Sequence, residues 1–393
     1  MRTERMVLFA AALAGCATGS TTGKRVTTIE MEPMKIEVVR GSEGQKIEAF
    51  DAATLFEQAG DALNKQEWAE AARGYDRLVK DFPDSRYELA ARYNAGLALE
   101  GLKDWTGAAA RYRGLVEKHP ESRDALDALF RMGGCWAEAG NWAASAETFA
   151  QVLAHKDLSL GDRVEAMGRR GLAQYNMKDT VAAEHTFRDA LKYYKDNEEV
   201  ERLDSDFFLA LCHYYLAEIS HDQFRAVAVR LPEKQMKRDL EDKAQLLLVA
   251  QGRYVNVARV RNPAWATAAG YQMATLYKEF YDALMQAPVP PELSPEAKAV
   301  YVEELRKAIE PLLRKAIHAH ELTQQVAERN GIDNEWVRKS SEQMEQLRAL
   351  LAPPEKRPPV EKATEPPAKA NEPEKAAPPP TPNHDDYHPR VIL

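Results

Sequence analysis

A spacing of 37 residues recurs through the first half of the chain and restricts its fold more than any other feature. Trp68, Trp105 and Trp142 lie 37 residues apart. The same register holds for small residues at Ala59, Gly96 and Gly133, for Ala71, Ala108 and Ser145, for Tyr75, Tyr112 and Phe149, and for Leu78, Leu115 and Val152. A fourth copy follows one residue late, at Gly171, Ala183, Phe187 and Ala190. A unit this short cannot bury an apolar face alone, so the copies are expected to stack on one another.

This order of small residue, alanine, aromatic residue and proline resembles the tetratricopeptide repeat, which is usually about 34 residues long. The prolines here are Pro83 and Pro120, and the three extra residues of each copy follow them. The resemblance implies an all-α fold, a right-handed α-solenoid of tetratricopeptide helix pairs. It covers about four repeats over residues 51–192.

The same resemblance implies close helix contacts at Gly96 and Gly133, with Tyr112 and Phe149 filling the space between neighbouring repeats. The three extra residues are expected to lengthen the following helix by about a turn. A Ser-x-x-Glu capping box, Ser85 with Glu88, predicts where that helix starts.

Residues 193–351 keep a helical pattern without the fixed spacing, and we interpret them as degenerate repeats and longer helices that continue the solenoid. Asn262-Pro263 and Ser294-Pro295 each place a capping residue before a proline at the first helical position. Pro311 predicts a kink in a long helix from about 295 to 330. Gly331 is expected to end that helix, and Asp333 to cap the next one.

The N-terminus carries a signal for membrane anchoring. Residues 1–15 hold Arg2 and Arg5 and then an apolar run of about ten residues, half the length that a spanning helix needs. The run ends in a four-residue motif, Leu13, Ala14, Gly15 and Cys16. This motif resembles the lipobox of bacterial lipoproteins. That family implies cleavage before Cys16 and acyl chains such as palmitate on its sulfur and new amine, an anchor that two or more chains make stable.

Ala17 follows Cys16, where a lipoprotein of the inner membrane often has aspartate. The resemblance therefore implies sorting to the outer membrane, with the protein facing the periplasm. The alternative is an ordinary signal-peptide cleavage site with an incidental cysteine.

Two segments without a periodic apolar face flank the helical region. Residues 16–50 begin with a run rich in glycine, serine and threonine and are predicted to be a disordered, lipidated tether. Apolar and polar side chains alternate weakly over residues 26–39, and the alternative there is a short strand. Residues 352–393 hold 12 of the 22 prolines and are predicted to be a disordered tail. The apolar residues 387–393 at its end are either a docking motif or an accidental terminus.

Composition and motifs narrow the classes of function. The net charge is −8 and no stripe of lysine or arginine is present, so a nucleic-acid partner is not expected. Sequence motifs of metalloproteases, phosphate-binding loops and serine hydrolases are lacking, and we expect neither an enzyme nor a cofactor other than the lipid on Cys16. His318 and His320 are two residues apart, so a helix would point them in different directions and no metal site is predicted.

The remaining cysteines, Cys135 and Cys212, are expected to be reduced, buried and too far apart for a disulfide. Acidic residues 198–206 are interpreted as solvated surface. An aromatic cluster is interpreted as core, with Tyr254, Trp265, Tyr271, Tyr277, Phe280 and Tyr281 as its members.

The candidate binding surface is the groove that the resemblance implies. Phe56, Tyr93 and Phe130 recur 37 residues apart, on the face of each first helix that lines the concave side in this family. The alternative is that these rings pack between helices.

Together these features predict an outer-membrane-anchored periplasmic scaffold that binds envelope proteins or peptides in its groove, with no small-molecule substrate. Residues 262–266, 270–271 and 287–293 resemble tetratricopeptide lipoproteins of the myxobacterial gliding-motility machinery. Alternatives are an adaptor or regulator of a peptidoglycan enzyme, or a component of outer-membrane protein assembly or of pilus-secretin assembly.

Overall fold

The computed structural model describes residues 33–41, 44–289 and 292–352. The chain divides into two compact units, residues 1–52 and 53–393. Within the described residues the first unit contains β1 (Met34–Gly41) and β2 (Gly44–Asp51). The helices are α1 (Ala52–Asn64), α2 (Trp68–Asp81), α3 (Glu88–Gly101), α4 (Trp105–Lys118), α5 (Arg123–Glu138), α6 (Trp142–Ala154), α7 (Leu160–Asn176), α8 (Thr180–Asn197), α9 (Phe207–Ala226), α10 (Glu233–Arg259), α11 (Pro263–Met285), α12 (Pro295–Asn330) and α13 (Glu335–Leu351).

The first unit contains a β-hairpin where the sequence predicted a flexible tether. β1 and β2 are antiparallel, with Met34 opposite Asp51 and Gly41 opposite Gly44. The alternative of a short strand is therefore confirmed for residues 34–39, and the prediction of a disordered tether is wrong for residues 34–41 and 44–50. Residues 34–38 alternate apolar and charged side chains with the two-residue period of a strand, and this alternation outweighs the composition of the preceding segment.

The second unit is an α-solenoid whose first eight helices follow the predicted spacing. Each odd-numbered helix from α1 to α7 is the first helix of a repeat, and each even-numbered helix from α2 to α8 is the second. A Cβ atom on Gly96 would lie 2.5 Å from the ring of Tyr112, and one on Gly171 would lie 2.5 Å from the ring of Phe187. Gly133 faces Phe149 in the same way, at 2.7 Å. The predicted close helix contacts at Gly96 and Gly133 are confirmed, but the rings of Tyr112 and Phe149 lie against the first helix of their own repeat and not between neighbouring repeats.

Short polar side chains begin most of these helices. Asp104, Asn141 and Asp179 cap α4, α6 and α8, and each accepts a hydrogen bond from a backbone N–H three residues later. The predicted capping box at Ser85 is wrong: α3 begins after Tyr87 without a side-chain cap. The Glu88 carboxylate instead accepts hydrogen bonds from Arg92 and pairs with His119 and Lys118, so it does not reach back to residue 85.

Beyond α8 the helices are longer and surround an aromatic core, as predicted. Trp265 and Tyr254 are fully buried, and Tyr271, Tyr277 and Tyr281 are buried beside them. Phe280 packs against the same cluster and is partly buried. The core therefore lies where α9, α10 and α11 meet, and α11 also packs against α12 and α13.

The predicted helix boundaries in this half hold with one correction. Asn262 and Ser294 cap α11 and α12, each with proline at the next position. Pro311 lies inside α12, which continues to Asn330 and ends at Gly331 with a left-handed φ of 64°. Asp333 does not cap α13; Asn334 does, through its side-chain oxygen and the N–H of Val337, because Asp333 pairs with Arg338.

None of the helices in the described residues is both long and apolar enough to cross a lipid bilayer. Several predictions fall outside the described residues: the predicted signal peptide of residues 1–15, the motif at Leu13, Ala14, Gly15 and Cys16 that resembles a lipobox, most of the predicted tail, and residues 387–393.

Candidate functional site

The candidate binding surface is formed by the first helices of successive repeats. We call it the first-helix face and define it by side chains of α1, α3, α5 and α7: Phe56, Tyr93, Glu100, Phe130, Arg131, Glu165 and Arg169. Its aromatic and charged groups are treated in turn below.

The three predicted groove rings pack against the second helix of their own repeat. The pairs are Phe56–Tyr75 at 5.6 Å, Tyr93–Tyr112 at 5.6 Å and Phe130–Phe149 at 6.2 Å between ring centroids, each with the rings edge to face. Such geometry stabilises helix contacts beyond the area it buries. Tyr93 is only 3% exposed, whereas Phe56 and Phe130 are half-buried. The alternative interpretation, packing between helices, therefore describes Tyr93, and only Phe56 and Phe130 retain ring surface for a partner.

Tyr93 contributes to the face through its hydroxyl, which helps to hold Arg131. The Arg131 Nε donates to the Tyr93 hydroxyl at 2.9 Å, and its Nη1 donates to Glu100 Oε2 at 2.9 Å. The Tyr112 hydroxyl donates to the other oxygen of Glu100 at 2.6 Å. This network joins α3, α4 and α5, and it holds the Arg131 guanidinium 5.8 Å from the ring centroid of Tyr93.

The surroundings of Arg131 keep its guanidinium charged. Burial acts to lower the pKa of Arg131, but Tyr112 and Glu100 raise it overall, so the guanidinium remains charged. The side chains of Arg131 and Glu100 are 12% and 11% exposed. A pair so little exposed costs desolvation, and removing one partner would leave an uncompensated charge.

A second charged pair lies one repeat further along the face. Arg169 Nε lies 2.8 Å from Glu165 Oε1, one helical turn away on α7. The Arg169 guanidinium also lies 5.0 Å from the ring centroid of Phe208 on α9, within cation–π range. The face thus presents paired charges of both signs between aromatic rings.

Both described cysteines are buried free thiols, as predicted. Burial raises the pKa of Cys135, and the nearby carboxylate of Glu100 raises it further. Burial alone raises the pKa of Cys212. Since the thiolate is the reactive form, these thiols are poor nucleophiles at neutral pH.

The two histidines of α12 do not converge. The His318 side chain is 69% exposed, whereas His320 is fully buried and shares a 2.7 Å hydrogen bond between its Nδ1 and Ser340 Oγ. Within the described ranges, no group of three or more histidine, cysteine, aspartate or glutamate side chains converges as metal ligands would.

Comparison with protein families identifies the repeats. A model of the tetratricopeptide repeat matches residues 54–85, 90–122 and 127–155. Residues 54–155 are three tetratricopeptide repeats. α7 and α8 lie beyond the third matched repeat, but they keep the same contact between Gly171 and Phe187 and so form a fourth helix pair of the same geometry. Tetratricopeptide repeats are modules that bind proteins or peptides.

Solved structures similar to this chain contain tetratricopeptide repeats. A repeat protein from Parabacteroides merdae is 12% identical, with 76% of this chain and 98% of that chain covered and a TM-score of 0.36. A repeat protein from Bacteroides fragilis is 14% identical, with 76% and 99% covered and a TM-score of 0.28. The TPR2AB domain of yeast Sti1, solved as a complex with pHSP90, is 12% identical, with 74% and 98% covered and a TM-score of 0.29. No curated protein matches the sequence.

A pocket of about 1030 Å³ lies between α8, α9 and α10. Part of its wall is formed by the acidic stretch 198–206, which the sequence analysis interpreted as solvated surface. Three of these acidic residues have partners, and Glu198 accepts a hydrogen bond from Lys195 at 3.1 Å. Glu201 accepts a hydrogen bond from the backbone N–H of Leu160, and Asp206 accepts one from Asn262. These two carboxylates therefore stabilise the starts of α7 and α11.

A buried polar network joins α9, α10 and α11, and nothing in the sequence pattern signalled it. His221 lies between the Tyr254 hydroxyl, at 2.9 Å, and Glu279, at 3.0 Å. Tyr254 also donates to the buried carboxylate of Glu218 at 2.6 Å. Burial acts to raise the pKa of Glu279, but His221 and Arg225 outweigh it and lower the pKa to about 2. The network specifies how these helices pack.

Proposed function

We propose that this chain is a lipid-anchored scaffold that binds protein or peptide partners in the bacterial envelope and catalyses no reaction. The observation that carries the proposal is the array of tetratricopeptide repeats behind a lipobox at residues 13–16. The repeats supply an interaction surface, and acyl chains on Cys16 supply a location. The sequence features that support the outer membrane and the periplasmic side are the lipobox and Ala17.

The first-helix face supports a partner that carries both charges. Its two arginines are held in place by carboxylates, so the face is preorganised and a partner need not order them. A partner can hydrogen-bond to either member of a pair while packing an apolar side chain against Phe130 or Phe56. The binding sites proposed are therefore Phe56 and Phe130 for apolar contact and Tyr93 for orientation of Arg131.

Lipidation is tested by labelling the host cells with an alkyne analogue of palmitate. The native chain should carry label and fractionate with the outer membrane, because several acyl chains are needed for stable anchoring. The variant Cys16→Ser should lose both label and sedimentation, while Cys135→Ser, which alters a buried thiol, should keep them. A native chain that is unlabelled and soluble would overturn the anchoring part of the proposal.

Partner binding is tested by affinity purification from solubilised envelopes. Phe130→Glu adds a charge to the half-buried ring position and should remove specific partners from the eluate. His318→Glu is the matched control, because that side chain is 69% exposed on α12, away from the repeats. Recovery of the same partners with the native chain, Phe130→Glu and His318→Glu would contradict binding at the first-helix face.

The narrower assignment is to a gliding-motility complex, and it rests on residues 262–266, 270–271 and 287–293. Part of that stretch has a structural role here: Asn262 caps α11, Trp265 is fully buried, and Gly270 leaves room for Thr323. A deletion strain that loses surface motility but keeps normal cell shape would support the assignment. Division or lysis defects would instead favour a regulator of a peptidoglycan enzyme.

A further inference from the structure

We call the contact between the second helices of two neighbouring repeats a step of the repeat array. A pocket opens at one of these steps. It lies between α4 and α6, has a volume of about 370 Å³, and we call it the outer pocket. Its apolar lining comes from Val116 on α4 and from Met132 and Trp136 on α5. A pocket of this size is at the lower end of the range for ligand sites, about 300–1,000 Å³.

The preceding step of the array shows what closes the equivalent position. Between α2 and α4, Arg111 donates to both oxygens of Asp76, at 2.8 and 2.7 Å. Thirty-seven residues later these two positions are Thr148 and Arg113, respectively. Thr148 cannot bridge the gap and donates to the carbonyl of Ala144 in its own helix, at 2.7 Å. The cross-link of one step is thus replaced by a pocket in the next.

At the following step, between α6 and α8, the positions equivalent to Arg113 and Thr148 are Ala150 and Thr186. Thr186 on α8 occupies the position of Thr148, and Gln174 on α7 occupies that of Trp136. The Thr186 hydroxyl donates to the Gln174 side-chain oxygen at 2.7 Å. This hydrogen bond joins the two helices of one repeat, whereas the Asp76–Arg111 cross-link joins the second helices of two neighbouring repeats.

The charges around the outer pocket have no ionic partners among the residues that the structure describes. Arg113 lies over the ring of Trp136, at 5.5 Å, and pairs with no carboxylate there. Glu117 on α4 and Glu147 on α6 also line the pocket without an ion pair. The two carboxylates outnumber the one guanidinium, so the rim favours a cation beside an apolar group.

We propose that the outer pocket binds an apolar side chain of a partner protein that is flanked by a lysine or arginine. The apolar side chain packs on Val116 and Trp136, which are partly exposed, and the cation pairs with Glu117 and Glu147. Buried aromatic residues and arginines surrounded by polar groups are the usual anchors of protein interfaces. The inference extends the proposed scaffold role with a second site, on the side of the second helices, and does not require the first-helix face to bind anything.

The test uses a displayed library of random 12-residue peptides selected on the purified full-length chain. Enriched peptides should share an apolar residue next to lysine or arginine. Their affinity, measured by fluorescence anisotropy, should fall at least tenfold with the double variant Arg113→Asp and Thr148→Arg. That double variant rebuilds the Asp76–Arg111 cross-link in the α4–α6 step, and circular dichroism checks that it folds.

Two further variants make the outcome specific. Glu117→Gln with Glu147→Gln should remove the preference for a basic residue while keeping the pocket open. Lys192→Gln, at a side chain 75% exposed on α8, should change nothing. Enriched peptides that bind the closed variant as tightly as the native chain, or that lack the basic residue, overturn the inference, as does the absence of enrichment. Peptides that still bind the double variant Arg113→Asp with Thr148→Arg, but no longer bind Phe130→Glu, overturn the inference and support binding at the first-helix face.

Discussion

At the scale of single residues, the turn inside each repeat depends on one left-handed position. Gln66, Lys103, Gly140 and Lys178 all have positive φ, between 58° and 73°, and they follow the 37-residue register with the one-residue delay of the fourth copy. Only the third repeat has glycine there. A non-glycine residue in this region is strained by its Cβ atom, at a cost of about 1–2 kcal/mol.

The first prediction concerns these turns. Lys103→Gly should raise the free energy of unfolding by up to about 1 kcal/mol, since the relief of strain exceeds the added freedom of the unfolded chain. Gly140→Ala should lower it by about 1 kcal/mol, because alanine cannot adopt φ of 73° without strain. Urea unfolding followed by circular dichroism measures both. Equal stabilities for both variants and the native chain would show that the turns carry no strain.

The second prediction concerns the contact between glycine and ring. A Cβ atom on Gly133 would lie 2.7 Å from the ring of Phe149, so Gly133→Ala should lower the free energy of unfolding by about 1–3 kcal/mol. Gly252→Ala is the control: nothing lies within 4 Å of its Cβ position, and alanine favours a helix, so stability should be kept or rise. A larger loss at Gly252 than at Gly133 in the same urea titration would contradict the packing described here.

The sequence predicted the positions that the repeat constrains and missed those decided by local competition. Gly96 and Tyr112 were found because every copy needs the same contact. The caps at Ser85 and Asp333 were mispredicted because a competing ion pair occupies a side chain in each region, Glu88 with Arg92 and Asp333 with Arg338. Such competition depends on neighbours that local motifs do not specify.

At the scale of secondary-structure elements, one buried histidine lies in the contact between α12 and α13. His320 is fully buried and shares a hydrogen bond with Ser340. Burial lowers its pKa from 6.5 to about 4, despite a hydrogen bond with Gln343 that acts in the opposite direction. The folded protein therefore holds this imidazole neutral where the unfolded chain would protonate it.

The third prediction follows from that pKa. The stability contributed by neutral His320 is fully present above pH 6.5 and is lost as the pH falls toward 4, because only the unfolded chain binds the proton in this window. The loss should reach on the order of 3 kcal/mol. In His320→Gln, urea unfolding at a series of pH values should show a smaller decline over this window, whereas His318→Gln should follow the native chain. Parallel curves for native protein and His320→Gln would contradict the assignment.

The β-hairpin shows why one element was predicted only in part, with its first strand left as an alternative and its second strand missed. Its strands lie next to a segment rich in glycine, serine and threonine, and their alternation extends over few residues. A hairpin also depends on pairing between β1 and β2, which the sequence of either strand alone does not reveal. Long helices of the second half were predicted because capping residues and proline mark their ends locally.

At the scale of the whole molecule, the repeats and the long helices differ in how they specify their packing. The repeats reuse one contact at regular intervals, so their fold was predictable from spacing. Helices α9–α11 are held by a buried network of His221, Tyr254, Glu218 and Glu279, whose members are far apart in sequence. Neither this network nor the outer pocket could be predicted, because both depend on which side chains meet across different helices.

The most direct test of the central claim is site-specific photo-crosslinking of the full-length chain in living cells. A photoreactive phenylalanine analogue replaces Phe130 on the first-helix face or, as the control, His318 on α12. The account predicts a discrete adduct from position 130, in the outer-membrane fraction, and none of the same mass from position 318. No adduct at position 130, or the same set of adducts at both positions, would contradict a scaffold that binds its partner through the tetratricopeptide repeats.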